Sequence, residues 1–500
     1  MQSDSMNMKI TTSFWLTALA AAMLSGCALP AVGPDYQVPE LSLPSAWTVP
    51  LAGNATGAAT GASQPSTAAS AVMAQWWRQF NDPQLDQLIE EALAGSLDVK
   101  LAQARLRQAR AGRDQAISGL FPTVTASGAA TRSKTAEVIT PTPVRTMYDA
   151  GFDAAWEIDI FGGTRRGIEA TTADQQASEA SLNHARVSLV AEVAQNYIEL
   201  RAYQQRLEIA RRNLASQTET LQITEWRNQA GLVGGSDVEQ ARTNREQTRA
   251  VIPDLEVSLS AAENRLAVLL GKNPGSLRQQ LQAAKPLPDL PPSVASGIPS
   301  DVLRQRPDLI VAERTLAAET ARVGQKLAKR FPSLKLGESF GWQAYSLGAI
   351  GAAGTLARTV TGTLAATLFD GGNLRSAVEI QNAVQEQALI SYQKSVLLAL
   401  EEVENGLKSY AVGRERVDAR RGAAEAARNA AQLTRNLYQS GLADFQKVLE
   451  TERTLLSAED NLAVAEAGMR TSLVKLYKAL GGGWESQSGA GGSQSRNDKS

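Results

Sequence analysis

Two hydrophobic periods take turns along this chain. From Ala150 to Ile160 the even positions are Ala150, Phe152, Ala154, Trp156, Ile158 and Ile160, while the odd ones include Asp153, Glu157 and Asp159. Strand side chains point alternately to opposite faces, so this pattern predicts a strand with one apolar and one water-facing side. The alternation recurs where Val360, Gly362, Leu364, Ala366 and Leu368 interleave with Thr359, Thr361, Thr363 and Thr367, and Leu334, Leu336, Phe340 and Trp342 mark one face of the strand before. Runs of about ten residues are long enough to cross a bilayer as tilted strands. Elsewhere the spacing is helical, as at Leu200, Tyr203, Leu207, Ala210, Leu214 and Leu221, at Val396, Leu400, Val403, Leu407 and Tyr410, and at Val448, Leu455, Leu462, Met469 and Leu476. Such heptad-like rows predict helices that need a partner along their length. Thr164 to Ala230 and Asn373 to Ser440 contain no proline, which at about 1.5 Å per residue predicts rods of roughly 100 Å. Short turns, Gly231 to Ser236 and Gly441 to Phe445, fold each rod back into an antiparallel coiled-coil pair.

The pattern is written twice. Displaced by 210 residues, Leu93, Asp98, Ala102, Leu106, Phe121 and Pro122 meet Leu303, Asp308, Ala312, Leu316, Phe331 and Pro332. The offset drifts by a residue where Arg166 meets Arg375, and returns for Gly231-Leu232 with Gly441-Leu442, Val238 with Val448, and Gly271 with Gly481. Each half therefore carries a helix, two strands, a very long helix, a turn and another helix. Ser96 is the expected N-cap of the first helix, Pro307 and Asp308 open its counterpart, and both helices stop at Phe-Pro. The organisation that follows is a segment 27–82 with a flexible linker, a first repeat 83–284, a proline-rich linker 285–298, a second repeat 299–482 and a disordered tail 483–500.

The composition suits long helices packed through small side chains: 43% hydrophobic but only 5% aromatic. A formal net charge of -1 gives no basis for holding nucleic acid or a membrane surface by bulk charge. The single cysteine, Cys27, excludes an intramolecular disulfide, and its setting explains it. Lys9 is followed by a mainly apolar stretch from Ile10 to Leu24 and then by Leu24-Ser25-Gly26-Cys27. This reads as a signal peptide, 1–26, ending in a lipobox whose cysteine becomes the lipidated first residue of the mature chain.

No catalytic or metal-binding constellation stands out, so the chain is not read as an enzyme. His184 is the only histidine and lies within a long helical segment, where an interhelix polar contact is expected. With Cys27 lipidated, no His/Cys metal set remains, and the only cofactor expected is the covalent lipid. Gly481-Gly482-Gly483 lacks the Lys-Ser/Thr of a phosphate loop. Glu90-Glu91 and Glu401-Glu402 sit on helical patterns as solvated faces, and Trp76-Trp77 reads as an N-terminal segment packed on helices. Four amphipathic strands cannot close a barrel, and unpaired strand edges are not tolerated in lipid, so the chain must oligomerise.

Taken in order, Cys27, Val32-Gly33-Pro34-Asp35-Tyr36, Trp76-Trp77 with Phe80 and Asp82-Pro83, Ala104-Arg105-Leu106, the two Phe-Pro strand starts, Arg306-Pro307-Asp308, and Leu437-Tyr438 through Gly441 carry a resemblance. The sequence resembles the TolC-like outer-membrane efflux proteins, in the lipoprotein branch containing NodT and OprM. The resemblance implies a mainly α fold with a membrane β-barrel: a homotrimer whose four strands per chain make a twelve-stranded barrel in outer-membrane lipid, and whose coiled coils make a periplasmic α-barrel. It also implies a passive efflux channel working with a periplasmic adaptor and an inner-membrane pump of the RND, MFS or ABC type. The gate is then expected on the turns, with Asp444 either an acidic constriction residue or a solvated turn aspartate, and Asp237 either a gate residue or the N-cap or first-turn acid of the returning helix. Gly231, Leu232, Gly441 and Leu442 sit where the adaptor should dock. Two other readings stay open, a duct for type I protein secretion and a coiled-coil scaffold lipoprotein with no pore.

Overall fold

A computed structural model describes residues 31–40, 44–48, 73–134, 144–291 and 305–484. Cys27, the expected signal peptide, the Gly/Ala/Ser-rich stretch before residue 72, residues 292–298 of the linker and the tail from 485 lie outside them. The main elements are α1 (Pro83–Gly95), α2 (Leu97–Ser118), β1 (Thr123–Ser133), β2 (Arg145–Ile158), α3 (Gly163–Gln229), α4 (Gly235–Leu269), α5 (Pro307–Ala328), β3 (Ser333–Ala344), β4 (Leu356–Ala365), α6 (Asn373–Gln439) and α7 (Phe445–Ala479).

The repeat is legible in these bounds. Helices α2, α3 and α4 begin and end 210 residues before α5, α6 and α7, with lengths of 22, 67 and 35 residues in both halves. Their C-terminal ends repeat too. Gly231, Gly271, Gly441 and Gly481 all have φ between +70° and +78°. In each case the glycine N–H and the following N–H bond back to carbonyls of the last turn, as in Leu232 N to Arg227 O at 2.8 Å and Leu442 N to Leu437 O at 2.8 Å. These are Schellman ends, which need a left-handed residue just past the helix. Ser96 serves two helices: its N–H closes α1 on Ala92 O, and its carbonyl accepts Lys100 N–H to open α2. The helix α1 before it, capped by Asp82 through Gln84 N and Leu85 N, was not distinguished by the periodicity.

The chain forms two compact units. The first holds one antiparallel sheet in the order β1-β2-β3-β4. Its register puts Ala150 opposite Trp342, Phe152 opposite Phe340, Trp156 opposite Leu336 and Ile158 opposite Leu334, so the alternating apolar positions of neighbouring strands share a face. Asp149, Asp153 and Glu157 fall on the other face with the Thr359, Thr361 and Thr363 row, and Lys335 Nζ pairs with Glu157 at 3.4 Å there. Trp156 and Trp342 stand toward opposite ends of the apolar face, about 20 Å apart along the strands at roughly 3.3 Å per residue. On strands tilted by about 40°, as in an outer-membrane barrel, that is about 15 Å along the membrane normal, inside the roughly 25 Å apolar band. The exception on this face is Glu338, which pairs with Arg358 at 2.8 Å. In the same unit Arg166 binds Asp35 at 2.7 Å and the carbonyls of Val32 and Gly33, and the Tyr36 hydroxyl donates to Glu313 at 2.9 Å. Gly33, with φ +100°, lies so close to Gly324 that an added Cβ would come within 2.4 Å of its Cα.

In the second unit Trp76, 1% exposed, stacks on Tyr477 with ring centroids 5.1 Å apart and meets Trp77 and Phe80 edge-on. The tryptophan pair is thus a packing device. Arg201 is buried and bonded to Gln84, Gln204 and Ala283 O, and Arg306 gathers Asp308, Glu402 and Ala479 O. The expectation of a disordered tail from Gly483 is corrected for its first two residues. Gly483 N–H bonds Met73 O at 3.0 Å and Trp484 Nε1 bonds Gln305 O at 3.1 Å, because the Schellman end directs the chain back onto the unit. Among the described residues no helix is long and apolar enough to cross a membrane.

Candidate functional site

The two inter-helix turns are where both repeats expose glycine and leucine together. Past the Schellman glycines, Leu232 and Leu442 are 73% and 77% exposed, unusual for large apolar side chains on a polar helical surface. The Schellman bond of each leucine N–H fixes the direction of the backbone there.

Behind the turns lies an apolar plug contributed by all four helices: Leu221 of α3, Val238 and Ala241 of α4, Tyr438 of α6, and Phe445, Val448 and Leu449 of α7. Arg227 of α3 reaches across to α6. Its guanidinium lies 4.1 Å from the Tyr438 ring centroid and donates to the Tyr438 and Gln439 carbonyls at the end of α6, the first of which also accepts the Gly441 N–H. The Tyr438 hydroxyl lies 3.2 Å from that of Thr224, and Gln446 Nε2 donates to Gln240 Oε1 at 2.6 Å across α7 and α4. The two turns are therefore cross-braced. Sequence spacing missed Arg227 and Thr224, because an isolated Arg or Thr on a helix carries no mark of the helix it touches; the Leu437-Tyr438 motif was the available signal.

Asp444 is exposed and is the N-cap of α7, its carboxylate accepting Lys447 N–H at 2.8 Å. Asp237 sits in the first turn of α4, half-buried, while the N-cap there is Gly234 with no side-chain bond. The structure thus brings Asp444, Gly441 and Leu442 together on one turn, and Asp237, Gly231 and Leu232 on the other. Cys27 falls outside the described residues.

Further along the helices the interior turns polar. Glu452 of α7, with a side chain 4% exposed, accepts from Thr220 at 2.7 Å and pairs with Arg435 at 3.4 Å; Arg435 also bonds Ser216. Burial raises the Glu452 carboxyl above the ordinary glutamate value, although Thr220 and Arg435 pull the other way. Next along, Glu459 accepts from Arg428 at 2.7 Å and from Asn213 at 3.3 Å. Burial lowers the pKa of the half-buried His184 imidazole, with Asp308 opposing. No set of three or more His, Cys, Asp or Glu among the described residues is placed to hold a metal.

The model of the outer membrane efflux protein family matches residues 88–272 and 298–482, one match per repeat. The toluene efflux pump outer membrane protein TtgC of Pseudomonas putida is 30% identical over 492 residues, covering 97% of this chain and 98% of its own. Nodulation protein T of Rhizobium leguminosarum bv. trifolii is 32% identical over 395 residues, 79% of this chain and 81% of its own. Among solved structures, the outer-membrane channel OprN superposes with a TM-score of 0.82 at 38% identity, covering 91% of this chain and all of that one.

Proposed function

This chain belongs to the outer membrane efflux protein family, and from that premise we propose how it assembles, docks and gates. It is an outer-membrane efflux channel that extends into the periplasm, in a family of ducts rather than enzymes. The free edges of β1 and β4 pair between copies, three chains supplying twelve strands, with the face of Asp149, Asp153 and Glu157 toward water and the face of Phe152, Trp156 and Phe340 toward lipid. Cys27 carries a covalent lipid after removal of 1–26, and no other cofactor is required. The relatives named for toluene and antibiotic efflux support small hydrophobic organic cargo, delivered by an inner-membrane pump of the RND, MFS or ABC type through a periplasmic adaptor.

The adaptor docks on Gly231-Leu232 and Gly441-Leu442. The observation that carries this reading is the pair of exposed leucines held on matching Schellman turns in both repeats. Gating belongs to the same turns. Opening requires α6 to leave α3, which means breaking the Arg227 contacts to Tyr438. Copies of the exposed Asp444 would form a ring of negative charge at the entrance, with Asp237 a lesser contributor behind it. Site-specific cross-linking tests the docking. Leu232→Asp and Leu442→Asp are expected to lose the adaptor cross-link and drug resistance while the trimer stays in the membrane fraction. An undiminished cross-link in the double variant would remove the leucines from the interface.

A further inference from the structure

Beginning about ten residues in from the turns, a cavity of about 310 Å³ opens between α3, α4 and α7. One wall is donor-rich. Asn244 of α4 is 3% exposed; its Oδ1 accepts Arg453 Nε at 3.0 Å, but its Nδ2 has no partner. A buried amide N–H left unbonded forfeits about 1–3 kcal/mol, so it calls for an acceptor. Arg453 of α7 has no carboxylate partner among the described residues. The other cation, Arg206 of α3, is already neutralised by Asp460, at 2.6 and 3.1 Å. The rest of the lining is mixed, with Ala210, Val251, Leu255 and Leu456 forming its apolar part and Gln247, Thr248 and Ser457 its uncharged polar part.

We propose that this cavity is a binding site for a small amphiphilic monoanion. Its carboxylate accepts from the Arg453 guanidinium and, once a small side-chain shift uncovers it, from the buried Asn244 Nδ2, and its apolar body covers Ala210, Val251 and Leu255. A single water satisfies Asn244 but leaves most of the space, and its apolar wall, unfilled. A dianion finds only one unpaired cation, and a neutral amphiphile leaves Arg453 unmatched. Helices α4 and α7 each begin at one of the two turns, so an occupant braces one turn against the other from behind. The site shares no residue with the leucines read as the docking surface, and it stands or falls separately from them.

The test uses the purified full-length protein and phenylacetate as probe, with 2-phenylethanol as its uncharged counterpart, titrated by ligand-observed NMR. Phenylacetate is expected to bind at least tenfold more tightly than 2-phenylethanol. Asn244→Asp gives Arg453 a carboxylate neighbour and repels the headgroup, and should weaken phenylacetate at least tenfold. Arg453→Gln, at an exposed position that leaves the fold intact, should do the same. Equal affinity for acid and alcohol overturns the proposal, as does unchanged phenylacetate binding in Arg453→Gln.

Discussion

At the first turn Gly234 opens α4 with no side-chain hydrogen bond, and the loop is held instead by Asn228 Nδ2 donating to Val233 O at 2.9 Å. At the second turn Asp444 caps α7, Phe445 is buried directly after it, and Tyr438 just before it is gripped by Arg227. The glycines and their bonded leucines are the same in both. Beyond the apolar plug and the Gln446–Gln240 bond that they share, two copies of one backbone have therefore been given different local fastenings, one by Asn228 to its own loop and the other by the Asp444 cap and the grip of Arg227. Under the proposed gating, the second turn, gripped from the neighbouring helix by Arg227, is the one whose release is expected to matter more.

Replacing the Schellman glycines tests the shared part and should have the largest effect. Proline cannot adopt φ +78° and has no N–H for Tyr438 O, so Gly441→Pro is expected to abolish export while the protein still reaches the outer membrane. Gly231→Pro should be less severe in the same susceptibility assay; equal loss in both would erase the distinction between the turns. Removing the grip comes next. Arg227→Met takes away the cation over Tyr438 and its bonds to the α6 carbonyls, and should raise single-channel conductance in planar bilayers, whereas an unchanged conductance would show that the brace does not restrain opening.

The two roles of Asp444 separate in a pair of substitutions. Asp444→Ala loses the cap and should cost about 1 kcal/mol, seen as earlier thermal unfolding. Asp444→Asn keeps a capping oxygen but no charge, so stability should hold while cation selectivity falls. If selectivity does not change, the carboxylate is a cap and nothing more. The smallest effect is in pH. Because burial raises the Glu452 carboxyl in the folded state above its unfolded value near 4.3, its contribution is full below that value and declines as pH rises through the raised one. Glu452→Gln should flatten this part of the profile of unfolding temperature against pH, and an unaltered slope would assign it to another group.

Much of the architecture was legible because hydrophobic period and turn residues are local signals. The 210-residue offset placed three pairs of helices, and the strand alternation gave the apolar face that the β2–β3 register then aligned. What stayed hidden was partner choice. A row of heptad positions says that α3 needs a neighbour, yet nothing in Arg227, Arg201 or Thr220 says which helix receives it. Glycine was ambiguous for the same reason. Gly481 to Gly483 share the composition of the segment beyond them, and it is their hydrogen bonds, Gly483 to Met73 among them, that mark a folded end. The role of Asp444 fell between the two cases, since its cap is local and its charge ring is a property of several chains.

The seat of Trp76 on Tyr477 also sets an order of events in biogenesis. An exported chain emerges amino end first, so Trp76 reaches the periplasm about four-fifths of the chain ahead of Tyr477, the residue it stacks on. Until α7 arrives, that indole and its aromatic neighbours stay open to chaperones and proteases. Completion of export is thereby a condition for seating Trp76 on Tyr477.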